Sequence, residues 1–565
     1  MKRIISFLFI IAIALPLHAV RDRDMIVLVH PFSNTGDNRY EWLSAGMADS
    51  VISDLMMVKN VRVISEKDRR KTVKEIEFSM SGMVDEQAAV KAGSMVGANV
   101  IFTGSFAVIN NNVRVVAKLI DVKSGELMKT AKLDGTLDKI FQLQDRIVIT
   151  LLSEAQKIEL KDVRPVVITE EDKNAIHNKP EVSFSAYELY SKGLQIRYNN
   201  PSKALEYYKK AIEYDPNYGD ALEQAGYISG SVFNRFDESI DFLNRAERVF
   251  RNHPGEQSEK YANVIIDIGT IYWSKGELDR ARDYYNKARN IFDSLGMRNS
   301  FGYASASWGL GLIYYGKRQT AESLRYYNES QSIYEILGLQ NTTSFADLMT
   351  NFGSLYHTMY RHDDALSYYF KSRSILDSLQ LQNTTAYANA LWGIGLIYYE
   401  KQNYDEALRY YTSAERTMVN LRMQDTAAYA NLIMNVGIVH ERLNRLDDAM
   451  RYYNRCKNIF ETLNLQNTLN FGNLLMNMGL VFQRQNNNRQ ALQYFFSSKS
   501  LLERLQVQNS QSYANALYNI AYTYDVQGQR EQAVQYYRSA ADIYRNINIR
   551  DWEQRARNRI QELGY

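Results

Sequence analysis

Residues 381–399 read LQNTTAYANALWGIGLIYY. Apolar residues from Ala388 to Tyr399 fall at helical spacing and predict a helix made for an interior, yet Asn389 sits within it. Nearly the same phrase returns along the chain at a fixed step. Gly269, Gly311, Gly353, Gly395, Gly437 and Gly479 stand 42 residues apart, with Ala521 in the next slot. Self-similarity at one such period is the signature of a repeat array. Two further series keep the step: Ala281, Ser323, Ala365, Ala407, Ala449, Ala491 and Ala533, then Ala288, Ser330, Ser372, Ala414, Cys456, Ser498 and Ala540. Each unit therefore reserves three places for a small side chain. Aromatic pairs such as Tyr410-Tyr411 lie between the last two series, and another ring, such as Tyr398, follows each glycine slot by three residues. Small residues let two helices approach while rings fill the space beside them, so each unit reads as a helical hairpin.

This pattern resembles the tetratricopeptide repeat, and its 42-residue length is similar to the kinesin light chain variety. The resemblance covers seven repeats over 261–552. Two less regular repeats precede them over 183–252, the clearer being AYELYSKGLQIRYNNPSKALEYYKKAIEYDPN at 186–217. It implies an all-α solenoid, with 553–565 as a polar helix capping the last apolar face.

Asn389 belongs to a series of its own: Asn263, Asp347, Asn389, Asn431, Asn473 and Asn515, with Ser305 in the second slot. Four residues later stand Asp267, Asn351, Asn435, Asn477 and Asn519, with Gly309 and Gly393 as gaps. Residues four apart share one helix face. The resemblance places both slots on the inner helix and the concave side, where such asparagines grip peptide main chain. Asparagine costs a helix interior up to about 0.7 kcal/mol relative to alanine, so the ladder needs a reason. An amide offers both donor and acceptor, which suits the backbone of an extended peptide. The alternative is that neighbouring amides bond to one another and tie the solenoid together. A third series, Asn299, Asn341, Asn383, Asp425, Asn467, Asn509 and Asp551, reads as N-caps of the next helix. Capping also accounts for the two glycosylation-like triplets at Asn341 and Asn383.

The remaining quarter has no period. MIVLVHPF and VRVI read as strands, EWLSAGMADSVISDLMM, SEKDRRKTVKEIEF and DEQAAVKAGSMVG as helices. NVIFTGSFAVI, VRVVAKLIDV and ELMKTAKL form a meander, closed by the helix LDKIFQLQDRIVITLLSEAQ. The order βαβααβββα over 22–156 predicts an α/β sandwich. HPFSNTG, GANVIFTGSF and LIDVKSGE resemble the TolB-like and curli-secretion (CsgG) superfamily, which implies an envelope location and a tendency to form rings. The lipoprotein cysteine and the membrane hairpins of the curli channel are missing from the pattern, so the fold carries over and the channel does not. Residues 157–182, with two prolines and no sustained period, read as a linker.

Lys2 and Arg3, an apolar run to Leu15 and the Leu17-His18-Ala19 site make 1–19 read as a secretory signal. The mature chain is expected to be exported, periplasmic or outer-membrane-associated, with no transmembrane segment. A net charge of +3 with 23% charged residues gives no reason to expect nucleic acid. The one cysteine, Cys456, excludes an internal disulfide and thiolate metal clusters, and the scattered histidines fit no metal or triad spacing. No catalytic constellation, cofactor or metal is expected. The sequence therefore points to a non-catalytic envelope scaffold that binds a partner protein or extended peptide. The competing expectation is an assembly protein that forms a homo-oligomer through its N-terminal domain.

Overall fold

The computed structural model describes residues 24–58, 61–64, 86–156, 163, 165–179, 182–197 and 199–565. The expected signal segment and the expected helix at 65–78 lie outside them. The chain divides into two compact units, 1–342 and 343–565.

In the first unit the β-branched run MIVLV forms β1 (Met25–Val29), buried at every residue. It lies parallel to β3 (Val61–Val63) on one side and β4 (Val100–Ile109) on the other. β4, β5 (Asn112–Asp121) and β6 (Leu127–Thr136) follow as an antiparallel meander, giving the order β3-β1-β4-β5-β6. Side chains alternate across a strand. Val100, Phe102 and Phe106 therefore join one core with α1 (Leu43–Leu55) and α3 (Ile140–Ala155), while Ile101 meets α2 (Glu86–Val96) on the other face. The expected sandwich is present. The structure adds β2 (Ser33–Asn34), paired to β4, within the stretch HPFSNTG.

The linker reading does not hold. Val166, Ile168 and Ile176 are buried in the core of the sheet domain, and α4 (Glu170–His177) starts at a capping box between Thr169 and Asp172. Lys179 reaches back to Asp54 at 2.5 Å and Asp145 at 2.7 Å. Sparse apolar residues without a helical period looked like linker; they are anchors for a strap.

The strap leads into α5 (Phe184–Ile196), which continues that core. Trp42 meets Phe184 and Tyr187 edge-on at 5.9 and 6.0 Å, Gln144 donates to Tyr187 Oη at 2.7 Å, and Tyr190 Oη donates to Asp49 at 2.8 Å. A Cβ on Gly46 would lie 2.1 Å from Ser191 Oγ, so α1 and α5 are in backbone-close contact. The α/β domain and the first repeat thus share one core.

Two irregular hairpins follow, α5/α6 (Pro201–Tyr214) and α7 (Gly219–Tyr227)/α8 (Phe236–Phe250), the second broken by a π-helical turn at Ile228–Val232. Regular hairpins α9 (Glu259–Ser274)/α10 (Leu278–Ser294) and α11 (Phe301–Gly316)/α12 (Thr320–Leu337) complete the unit.

The second unit is five hairpins: α13 (Thr343–Thr358)/α14 (His362–Ser378), α15 (Thr385–Glu400)/α16 (Tyr404–Asn420), α17 (Ala427–Arg442)/α18 (Leu446–Thr462), α19 (Leu469–Arg484)/α20 (Asn488–Arg504) and α21 (Gln511–Val526)/α22 (Arg530–Asn546). The closing helix α23 (Arg550–Glu562) starts three residues before the expected boundary. The glycine slots do what their spacing predicts: a Cβ on Gly395, Gly437 or Gly479 would sit 2.5–2.6 Å from the ring of Tyr411, Tyr453 or Phe495 on the paired helix. Cys456 is fully buried in its small slot, its thiol donating to Ala430 O at 3.2 Å, as Ser498 donates to Gly472 O at 2.8 Å one repeat on.

At five of the seven expected positions the cap is displaced by one residue, and Asp551 lies inside the first turn of α23, whose N-cap is Ile549. Ser300, Thr384, Thr426, Thr468 and Ser510, each following the expected Asn or Asp, accept from the backbone N–H three residues on. A hydroxyl can accept and donate at once. Thr384, Thr426 and Thr468 also donate to the carbonyls of Leu381, Met423 and Leu465 at 2.7–2.8 Å. One oxygen thus closes the turn on both sides.

Candidate functional site: the inner face of the repeat helices

Within the second unit, α13 packs on α15, α17 on α19 and α19 on α21, whereas no comparable packing joins α15 to α17 or any two successive second helices. Closer approach of the first helices at three of the four junctions curves the array toward them, so they form its inner side. Asp347 and Asn351 lie on α13, Asn389 on α15, Asn431 and Asn435 on α17, Asn473 and Asn477 on α19, and Asn515 and Asn519 on α21. Asn389 is exposed and the others are half-buried. Asn263 and Asp267 occupy the matching slots of α9 in the first unit, also half-buried. Asp267 and Asp347 each have a polar or electrostatic partner.

The asparagines of the two ladder slots do not bond to one another, but one of them is tied to an amide of the next inner helix. Asn431 Oδ1 accepts from Asn470 at 3.0 Å and Asn515 Oδ1 from Tyr544 Oη at 2.6 Å. Asn473 Oδ1 is buried without a donor. Amide-to-amide bonding between neighbouring inner helices, the alternative reading, is seen at Asn431 and Asn470; Asn473 Oδ1 has no such donor. Amides with spare donors and acceptors on one inner face can hydrogen-bond a main chain laid across them.

Further ties between repeats lie in clusters the sequence reading missed. Tyr429 Oη donates to Glu415 Oε1 at 3.0 Å, and Arg455 reaches the same oxygen at 3.0 Å. Tyr261 sits likewise between Glu247 (2.7 Å) and Lys287 (2.8 Å). Tyr303 takes a bond from Arg289 (2.7 Å) and lies 3.2 Å from Glu329. The signal was available: opposite charges 40 residues apart, with a tyrosine fourteen residues after the first. Tyr429 is almost completely buried, and its hydroxyl needs these partners.

Cys456 is no reactive thiol, since burial pushes it up to about 12. Among the described residues no three His, Cys, Asp or Glu side chains are grouped to hold a metal ion, and no helix is long and apolar enough to cross a membrane.

Hairpin helices with glycine, alanine and tyrosine slots at this register are tetratricopeptide repeats, the class of protein-interaction modules. Models of the tetratricopeptide repeat match residues 195–218, 234–294, 386–462 and 470–546. The α/β domain is similar to another envelope family than the one expected: the model of the peptidoglycan-synthase activator LpoB matches residues 15–128. A protein of Rhizobium meliloti (strain 1021) with the provisional name adenylate cyclase 3 is 23% identical over 212 residues, 37% of this chain and 33% of its own length. The chain thus spans about a third of that curated relative. Among solved structures, apo RapI is 16% identical, covers 51% of this chain and 98% of its own, and has a TM-score of 0.41. A Rap protein complexed with competence and sporulation factor is 11% identical, covers 61% and 97%, and scores 0.40. A kinesin light chain-like repeat protein of Podosopora anserina is 9% identical, covers 36% and 97%, and scores 0.32.

Proposed function

We propose that this protein is an exported, non-catalytic adaptor of the cell envelope that holds an extended segment of a partner protein against the inner face of its second unit. The observation that carries the reading is the series of asparagines on successive first helices, half-buried except for the exposed Asn389 and not bonded to one another, with the buried acceptor of Asn473 lacking a donor. The tetratricopeptide repeats support a protein partner, and the likeness of the α/β domain to a peptidoglycan-synthase activator supports the envelope. The core shared by that domain and the first repeat supports a fixed mount rather than a tethered one.

The test is a crosslinking pull-down from envelope extract with the full chain as bait, beside a bait carrying Asn435→Ala, Asn477→Ala and Asn519→Ala. Both baits must first melt alike by circular dichroism. A partner kept by the first and lost by the second is the expected result. Identical recoveries from the two baits would remove the asparagines from recognition and leave the ladder without a ligand.

A further inference from the structure

From Thr385, Ala427, Leu469 and Gln511, the first fourteen residues of α15, α17, α19 and α21 contain no Asp, Glu, Lys or Arg. Their partner helices α16, α18, α20 and α22 each carry at least four. Four successive inner helices are thus uncharged along most of their length, while the charge of the same repeats sits on the other layer. This is no demand of the hairpin. The corresponding stretch of α13 holds Asp347, and that of α9 holds Glu259, Lys260 and Asp267.

Positions three and four residues beyond the amides share their helix face. Three residues beyond the two slots, the second of which is Gly393 on α15, stand Trp392 and Leu396 on α15, Met434 and Ile438 on α17, Leu480 on α19 and Tyr522 on α21. Tyr522 is 41% exposed and the others, named from Trp392 to Leu480, are half-buried. Trp392, Met434 and Ile438 are backed by one core cluster and Leu480 by another, so they offer apolar surface held in place from behind. The inner face thus alternates amides with apolar side chains.

We infer that the occupant of this face is an extended, uncharged peptide segment with apolar side chains, engaged over α15 to α21; the inference rests on the groove reading above. The amides meet the main chain of such a segment and the apolar positions receive its side chains. A Lys, Arg, Asp or Glu in the same place would leave water for a surface with no countercharge, which is strongly unfavourable. Four inner helices at about 10 Å spacing span roughly 30–40 Å, the reach of about ten residues at about 3.3 Å each.

The experiment is display selection of random 12-residue peptides on the full chain, followed by fluorescence anisotropy of enriched peptides. Enriched sequences are expected to show Asp, Glu, Lys and Arg at no more than a third of library frequency over a run of eight positions. Their affinity should change less than about twofold between 50 and 500 mM salt, because no ion pair is there to screen. A lysine placed mid-peptide should weaken binding at least tenfold, and Ile438→Glu should recover part of that loss. Peptides that bind through the asparagines but carry charge at library frequency would overturn this inference and leave the groove reading standing. No enrichment, or peptides indifferent to the triple alanine change, would overturn both. The composition readout needs only the unmodified chain, so a variant that fails to fold does not disarm the test.

Discussion

Reversing one member of an ion pair at a repeat junction should damage the solenoid, and reversing both members should repair it. Glu415 on α16 and Arg455 on α18 meet over Tyr429 on α17, so the cluster joins one repeat to the next. Glu415 is 13% exposed and Arg455 43%, which places the pair at the edge of solvent and screens part of its attraction. Glu415→Ala leaves the buried Tyr429 hydroxyl without its acceptor and should cost about 1–3 kcal/mol. Arg455→Met should cost about 0.5–1 kcal/mol, because solvent replaces part of what the guanidinium gives. Like charges about 4 Å apart at an effective dielectric of about 20 repel by about 4 kcal/mol, roughly halved by this exposure. Glu415→Arg alone or Arg455→Glu alone should therefore lose about 2 kcal/mol. The double reversal should return to within about 1 kcal/mol of the parent, since the cluster of Arg289, Tyr303 and Glu329 already uses the opposite polarity around the same tyrosine slot. Urea unfolding of the full chain by circular dichroism reads all four corners of the cycle. A weakened junction should also broaden the transition, because a solenoid is held by nearest-neighbour interfaces. Additive reversals would refute the argument.

Gly437→Ala drives a methyl to 2.5 Å from the fully buried Tyr453 ring and should destabilise by about 1–3 kcal/mol despite its better helix propensity, whereas Gly316→Ala, whose nearest neighbour is 3.7 Å away, should gain up to about 1 kcal/mol; calorimetric melting of the two variants in opposite directions is the check. Thr426→Ala removes the acceptor for Tyr429 N and the donor to Met423 O and should cost about 1–2 kcal/mol, with Thr426→Ser close to neutral in the same assay. Burial pushes the Asp54 carboxyl up to about 7 against the pull of Lys179; the native state then holds this proton more tightly than the unfolded chain does, so its stabilising contribution is present at low pH and is lost as pH rises toward about 7. Asp54→Asn should flatten that slope and raise the melting temperature at pH 8 relative to the parent, and a parent no less stable at pH 8 than the variant would contradict the assignment.

The repeat array was legible because its causes are local. A glycine facing Tyr411, Tyr453 or Phe495 at each step, an alanine in the next slot and a hydroxyl at each junction act within one or two turns, and the 42-residue period multiplies the signal seven times. The strands of the α/β domain were legible for a related reason: buried β-branched runs such as MIVLV suit little else. The cap was misplaced by one residue, since Asn and Ser or Thr are both good caps and only backbone geometry selects the hydroxyl that closes both sides of the turn. The strap at 165–179 was illegible because its three apolar anchors and Lys179 make sense only against α1 and α3, more than a hundred residues away from Asp54 in the case of the lysine.

The amino-acid sequence by itself determined the hairpin unit, the number of regular repeats, the alternation that builds the sheet and the positions of the asparagines, all of which follow from spacing along a helix or strand. Only the tertiary structure decided that Asn431 pairs with Asn470 of the next inner helix while the ladder asparagines do not bond to one another, that acid, tyrosine and base tie repeats together, and that the α/β domain merges with the first repeat through Trp42, Phe184 and Tyr187. These depend on which atoms meet across elements far apart in the chain, and spacing fixes a face of a helix without fixing what that face will touch.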